Sequence, residues 1–91
     1  MISRTSRQFW NLFDQLPDDV QKTARAYYRR FKLNPSHPSL HFKPISEPVW
    51  SIRAGIHYRA LGIIKETERG KMIIWVWIGT HAAYDHMLRK L

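Results

Sequence analysis

The sequence contains no cysteine. Disulfides and thiolate metal sites are therefore excluded. No apolar run reaches the ~18 residues that a membrane helix needs. The start, Met1-Ile2-Ser3-Arg4, leads into a polar, aromatic helix pattern and lacks the apolar stretch of a signal peptide. These absences predict a cytoplasmic protein with no membrane partner. Acidic residues are also scarce. Seven Asp and Glu face fifteen Lys and Arg, for a net charge of +8. That balance favours a polyanionic or acidic partner over a basic surface kept only for solubility.

Other features argue for a folded chain. The hydrophobic fraction of 44% and the aromatic fraction of 13% are too high for disorder. Ninety-one residues make one domain, spanning 1–91. Such a chain buries roughly 60–65% of its unfolded surface. There are no internal repeats and no low-complexity segments.

Thr5-Ser6-Arg7-Gln8 fits a capping box. Phe9, Leu12, Phe13 and Leu16 follow at helical spacing. Pro17 suits the first position of a second helix, and Asp18 and Asp19 suit its positive end. Val20, Ala24, Tyr27 and Phe31 form its apolar stripe, with Lys22, Arg25 and Arg29 on another face. Asn34-Pro35 ends it. This predicts an N-terminal helical hairpin. Residues 34–48 hold four of the five prolines, and frame an edge strand or loop at Leu40–Lys43.

From Val49 the period is two: Trp50, Ile52 and Ala54 alternate with Ser51 and Arg53. Beyond Gly55 the alternation resumes through Arg59, Leu61 and Ile63. Glu66–Lys71 is a polar hairpin loop, with Gly70 placed for positive φ. Residues 72–78, MIIWVWI, are apolar on both faces, as in a covered strand. Gly79 breaks that strand and Thr80 caps a helix, which Tyr84, Met87, Leu88 and Leu91 would dock. The predicted order is α-α, β-β-β, α. It is an α+β domain with a small antiparallel sheet and helices on one face.

Pairing the last two strands in simple register carries Arg59 toward Gly79. Arg53, Arg59, His81 and Tyr84 then share one corner of the sheet, with Lys43 beside them. Such a set suits RNA cleavage by the RNA's own 2′-hydroxyl. That reaction needs one group to take the hydroxyl proton and another to protonate the leaving 5′-oxygen. It also needs fixed positive charge at phosphate. Histidine serves as acid or base near neutral pH, arginine is a permanent planar fork, and tyrosine positions or stacks. Read singly, Arg59 is a surface charge and Tyr84 is core packing. Asp85, four residues after His81, can reach the imidazole or face solvent.

Metal ligation finds no support. His37 and His41 are four apart, but the prolines preclude a regular helix there. His81 and His86 point in different directions on a helix. No cofactor is expected. Trp50, Trp75 and Trp77 belong to the core, whereas Trp10 lies off its helix stripe and is a candidate partner contact.

Three stretches carry a family resemblance. They are "LPDDVQKTARAYYRRFKLNPSHPSLHFKPI", "VWSIRAGIHYRALGII" and "IIWVWIGTHAAYDHML". In order, they resemble the RelE/ParE superfamily of type II toxin–antitoxin toxins, from about Phe9 to Leu88. The resemblance implies a RelE-like fold, a cognate acidic antitoxin, and a metal-independent endoribonuclease that cuts mRNA, commonly on the ribosome. It assigns Arg59 and Arg53 to the basic strand positions, His81 to the histidine position after the last strand, and Tyr84 to the nearby tyrosine. Lys43, Arg53 and Arg59 would hold phosphate. The chain departs from the pattern at Ser51, where some nucleases carry lysine, and at Ala82, where many relatives carry arginine. It also lacks a clear N-terminal strand. Glu47 matches a base used by some relatives, within a proline loop. The same resemblance admits a non-catalytic toxin that binds DNA gyrase, or an inactive relative that binds only its antitoxin.

Overall fold

The computed structural model describes residues 1–90. Strand β1 (Ile2–Thr5) is followed by helices α1 (Arg7–Asp14) and α2 (Asp18–Leu33). Strands β2 (Lys43–Ser46), β3 (Val49–Arg53), β4 (Tyr58–Thr67) and β5 (Gly70–Thr80) come next, then helix α3 (His81–Leu88). Leu91, expected to help dock α3, lies outside the described residues.

The α+β class stands, but the N-terminus differs from the expected helical hairpin. The chain opens on a strand, and the helix pair follows it. β1 pairs in parallel with β5, Ile2 level with Met72 and Thr5 with Trp75. Ile-Ser-Arg-Thr carries almost no strand signal of its own. Its ladder is supplied by a partner about seventy residues away. Because Thr5 stays extended to finish β1, the cap of α1 moves one residue on. Ser6 Oγ accepts from Phe9 N–H at 3.1 Å, while Thr5 Oγ1 accepts from Trp10 Nε1 at 2.7 Å.

The strand expected at Leu40–Lys43 forms later, at Lys43–Ser46. Leu40 ends a short 3-10 turn, Pro38–Leu40, and is fully buried. The edge position holds, since β2 pairs only with β3 and Pro44 has no N–H to offer.

The sheet order is β1-β5-β4-β3-β2. β4 and β5 form a hairpin closed at Thr67 and Gly70, where Gly70 takes φ 106°. Their register slips once. Gly62 faces Trp75 but Leu61 faces Trp77, leaving Val76 as an extra residue. A bulge of this kind reverses the side-chain alternation beyond it. Ile73, Trp75 and Ile78 therefore all turn to one side and are buried at 0%, 3% and 3% exposure. The uninterrupted apolar run of β5 follows from that reversal.

On this side α1 and α2 contribute Phe13, Ala24 and Phe31 against Ile52, Ala54, Ala60 and the β5 trio. Trp75 meets Phe31 edge-on at 5.5 Å. Its Nε1 donates to Ser3 Oγ, which also accepts from the Tyr28 hydroxyl. α3 lies on the opposite face, which corrects the expectation of helices on one face. Ser51 neighbours core-facing Ile52 and so points the other way, and there it accepts from the Tyr84 hydroxyl at 3.1 Å. Among the described residues, no helix is long and apolar enough to cross a membrane.

Gly62 sits where the slip brings backbone against core. A Cβ there would lie 2.7 Å from two carbons of Ile73 and 2.9 Å from Trp75. Gly62→Ala is expected to cost about 1–3 kcal/mol through overpacking. Chemical denaturation checks this, as a lower midpoint at unchanged m.

Candidate functional site

Antiparallel pairing sets Arg53 directly opposite Arg59, and Arg59 opposite Gly79. Unbroken register from the hairpin would have brought Arg59 level with Ile78; the bulge delivers Gly79 instead. Lys43 faces Ser51, two residues before Arg53 and on the same side of the sheet. Across the row, Thr80 Oγ1 accepts from Ala83 N–H at 3.1 Å and starts α3. The His81 N–H donates to the His57 carbonyl at 2.8 Å, tying the helix start to the β3–β4 turn.

The side chains are held differently. Arg59 Nη1 donates to the carbonyls of Tyr58 at 2.9 Å, Ile56 at 3.3 Å and Gly55 at 3.5 Å. Its guanidinium is thereby pinned over the turn that Gly55 makes at φ 127°. Partial burial, and then the Arg53 charge, lower the Arg59 pKa below its ordinary value, against the pull of Tyr84 and Asp85. Arginine remains a cation regardless. Arg53 Nε is buried without a hydrogen-bond partner. His81 is exposed, with Nε2 3.3 Å from Asp85 Oδ2 and its ring 5.9 Å from that of Tyr84. Among the described residues no Lys or Arg side chain pairs with a carboxylate. Lys43, Arg53 and Arg59 thus gather without a carboxylate partner. Like charges placed directly opposite are destabilising, and a bound phosphate, which arginine forks match well, would relieve them.

Lys43, Arg53, Arg59 and His81 lie at one end of the sheet. Tyr84 is 6% exposed and spends its hydroxyl on buried Ser51, so its ring packs α3 onto the sheet. Glu47 sits at the β2–β3 turn, at the far end of β3 from Arg53, where it accepts from Trp50 Nε1 at 3.2 Å. Among the described residues, no three His, Cys, Asp or Glu side chains gather into a metal site.

Sequence reasoning weighs His41 only as a metal partner of His37. His37 instead caps the short 3-10 turn, its Nδ1 accepting from Ser39 N–H at 3.2 Å. His41 is exposed, in the left-handed region at φ 47°. Arg53 first, then desolvation, Arg59 and Lys43 lower its pKa below the ordinary histidine value. Prolines on either side hid it. It lies two residues before β2, in the turn that leads into Lys43.

A five-stranded mixed sheet, backed by two helices and carrying a C-terminal helix on its other face, is the fold of RelE/ParE toxins. The toxin–antitoxin complex RelBE from Mycobacterium tuberculosis matches at TM-score 0.67 and 15% identity, over 88% of this chain and 96% of that one. The YoeB/ParE toxin from Agrobacterium tumefaciens matches at 0.64 and 13%, over 89% and 99%. The RelB–RelE antitoxin–toxin complex from Methanococcus jannaschii matches at 0.61 and 15%, over 91% and 96%. At these identities the shared property is the fold. No protein-family model matches the sequence, and no curated protein shows significant similarity to it.

Two outcomes are expected here. Tyr84→Phe strands the buried Ser51 hydroxyl and should lower stability by about 1 kcal/mol in thermal melts. An NMR titration should place His41 below the ordinary midpoint of about 6.5, and Arg53→Gln or added salt should raise it. The sign follows from the lowered folded pKa. Any stability linked to neutral His41 is complete above the unfolded value and is lost as pH falls through the folded one.

Proposed function

We propose that this chain is the toxin of a type II toxin–antitoxin pair, acting in the cytoplasm as an endoribonuclease on mRNA, free or on the ribosome. The observation that carries the reading is the directly opposed pair Arg53 and Arg59, joined by Lys43 and lacking any carboxylate partner. In the proposed role these three hold the scissile phosphate and offset charge as it crowds at phosphorus. His81, at the start of α3, transfers a proton. Tyr84, bonded to Ser51, fixes the helix that carries His81 and is a positioning residue. The self-cleavage of RNA requires no metal ion or cofactor.

The partner reading rests on the fold and on charge. Two of the similar structures were solved as toxin–antitoxin complexes. At net +8, this chain suits an acidic, partly disordered antitoxin segment, with affinity that falls as salt rises.

Trp10 supports a second reading, a toxin that binds DNA gyrase without catalysis. It is 39% exposed, beside Arg25, whose guanidinium lies 5.7 Å from its ring centroid. The two readings separate in one experiment. Wild type, Arg59→Ala and His81→Ala are expressed while translation, mRNA integrity and plasmid supercoiling are followed. The nuclease reading expects mRNA cleavage by the wild type and a loss of about 10²-fold or more in each variant. Supercoiling lost with mRNA intact selects the gyrase reading, and equal harmlessness of all three forms refutes both.

A further inference from the structure

The Trp77 ring lies on the face of the sheet that carries the arginine row. In the β4–β5 ladder Leu61 faces Trp77, and Arg59 faces Gly79. Both pairs lie beyond the slip at Val76, so Trp77 and Gly79 share the side of Arg59 and of Arg53 opposite it. Contact agrees with register. A Cβ on Gly79 would lie 2.6 Å and 2.8 Å from Cζ2 and Cη2 of the Trp77 ring. The ring therefore reaches to the residue directly opposite Arg59. Residue type alone places Trp77 in the core, but the slip turns it to the other face, where it is half-buried.

Its indole N–H is also unspent. Trp10 donates to Thr5, Trp50 to Glu47 and Trp75 to Ser3, while Trp77 Nε1 bonds to no described residue. Among the described residues, Arg53 Nε is the one buried side-chain nitrogen or oxygen without a partner. The Trp77 N–H is therefore open to water. An indole kept only for packing satisfies its N–H within the protein, as the other three do. Tyr84 cannot offer a ring to a ligand here, being 6% exposed.

We propose that Trp77 is the nucleobase platform of this site, stacking on the base of a nucleotide that adjoins the scissile phosphate and favouring a purine there. The proposal rests on the endoribonuclease reading above. Arg53 and Arg59 take the phosphate. The strands of Arg59 and Gly79 lie about 5 Å apart, and a nucleotide held by its phosphate on the arginines reaches across that spacing with its base. Stacking on an aromatic ring accepts every base, and its strength sets the preference, so the larger purine gains most. The free indole N–H donates to an acceptor of the same nucleotide. Glycine at position 79 leaves the ring its seat beside Arg59.

The test uses purified full-length wild type, Trp77→Leu and Gly79→Ala. Cleavage is first mapped on a labelled RNA, free and on programmed ribosomes. Two further substrates lack the base on one or the other side of the cleaved bond and keep the 2′-hydroxyl. The readout is kcat/KM for intact RNA divided by that for each base-free RNA. Each ratio is taken within one preparation, so a partly unfolded variant does not alter it. Wild type should show a ratio of about 10 or more at one of the two positions. Trp77→Leu should bring that ratio to within about 3-fold of unity, and Gly79→Ala, which keeps the indole but displaces it, should lower it. At the same position wild type should prefer a purine to a pyrimidine by about 3-fold or more, a preference lost in Trp77→Leu. An undiminished ratio in Trp77→Leu overturns the role of Trp77 and leaves the nuclease reading intact. So does wild type that is indifferent to base removal on both sides. Wild type that cleaves RNA neither free nor on the ribosome overturns the nuclease reading and this proposal together.

Discussion

The single extra residue in β5, Val76, governs what each side of the sheet presents. Before it, Ile73 and Trp75 face the two helices; after it, Ile78 does, and Trp77 and Gly79 turn to the other side. With strict alternation, Trp77 would point into the core and Ile78 would stand beside Arg59. The slip keeps one face fully apolar. It also leaves a residue without a side chain next to the arginine. The gap is not empty, for the Trp77 ring fills it so closely that a Cβ on Gly79 would lie 2.6 Å from ring carbon. Core and candidate site are thus set by one irregularity in hydrogen bonding.

The other face carries an unfavourable arrangement. Two arginines oppose one another, and the inner nitrogen of Arg53 is buried without a partner. A like-charged cross-strand pair costs about 0.2–1 kcal/mol, and an unpaired buried donor costs about 1–3 kcal/mol. The apolar layer beneath Trp75, Phe31 and Ile73 offsets such costs. The Arg59 guanidinium is held by the backbone carbonyls of Gly55, Ile56 and Tyr58. Positive charge is therefore fixed before any ligand arrives. Such preorganisation serves an anion whose charge crowds during reaction.

Much of this was legible from residue patterns. The helices from Phe9 to Leu33 announced themselves by 3.6-residue spacing and by Pro17, Asp18 and Asn34. The last hairpin was visible from Glu66–Lys71 and the alternation on either side. Arg59 and His81 came together because a hairpin register can be counted. Three features escaped for physical reasons. β1 is extended only because β5 offers it a ladder, and nothing within Ile-Ser-Arg-Thr encodes that. The bulge is a choice between two registers that differ by one residue in an all-apolar run. His41 lies in a proline-framed turn, where no periodicity carries a count across.

The parallel pairing of β1 with β5 also has a temporal meaning. Ile2 is made seventy residues before its partner Met72, which lies in β5. Contacts of such long sequence separation form late in folding, and synthesis adds roughly 5–20 residues per second. During translation the N-terminal strand therefore waits for several seconds with its backbone unpaired. Ser3 meanwhile has no Trp75 to receive. This edge of the sheet closes only once β5 has been made, so a product ending before β5 would hold the arginines without the frame that orients them.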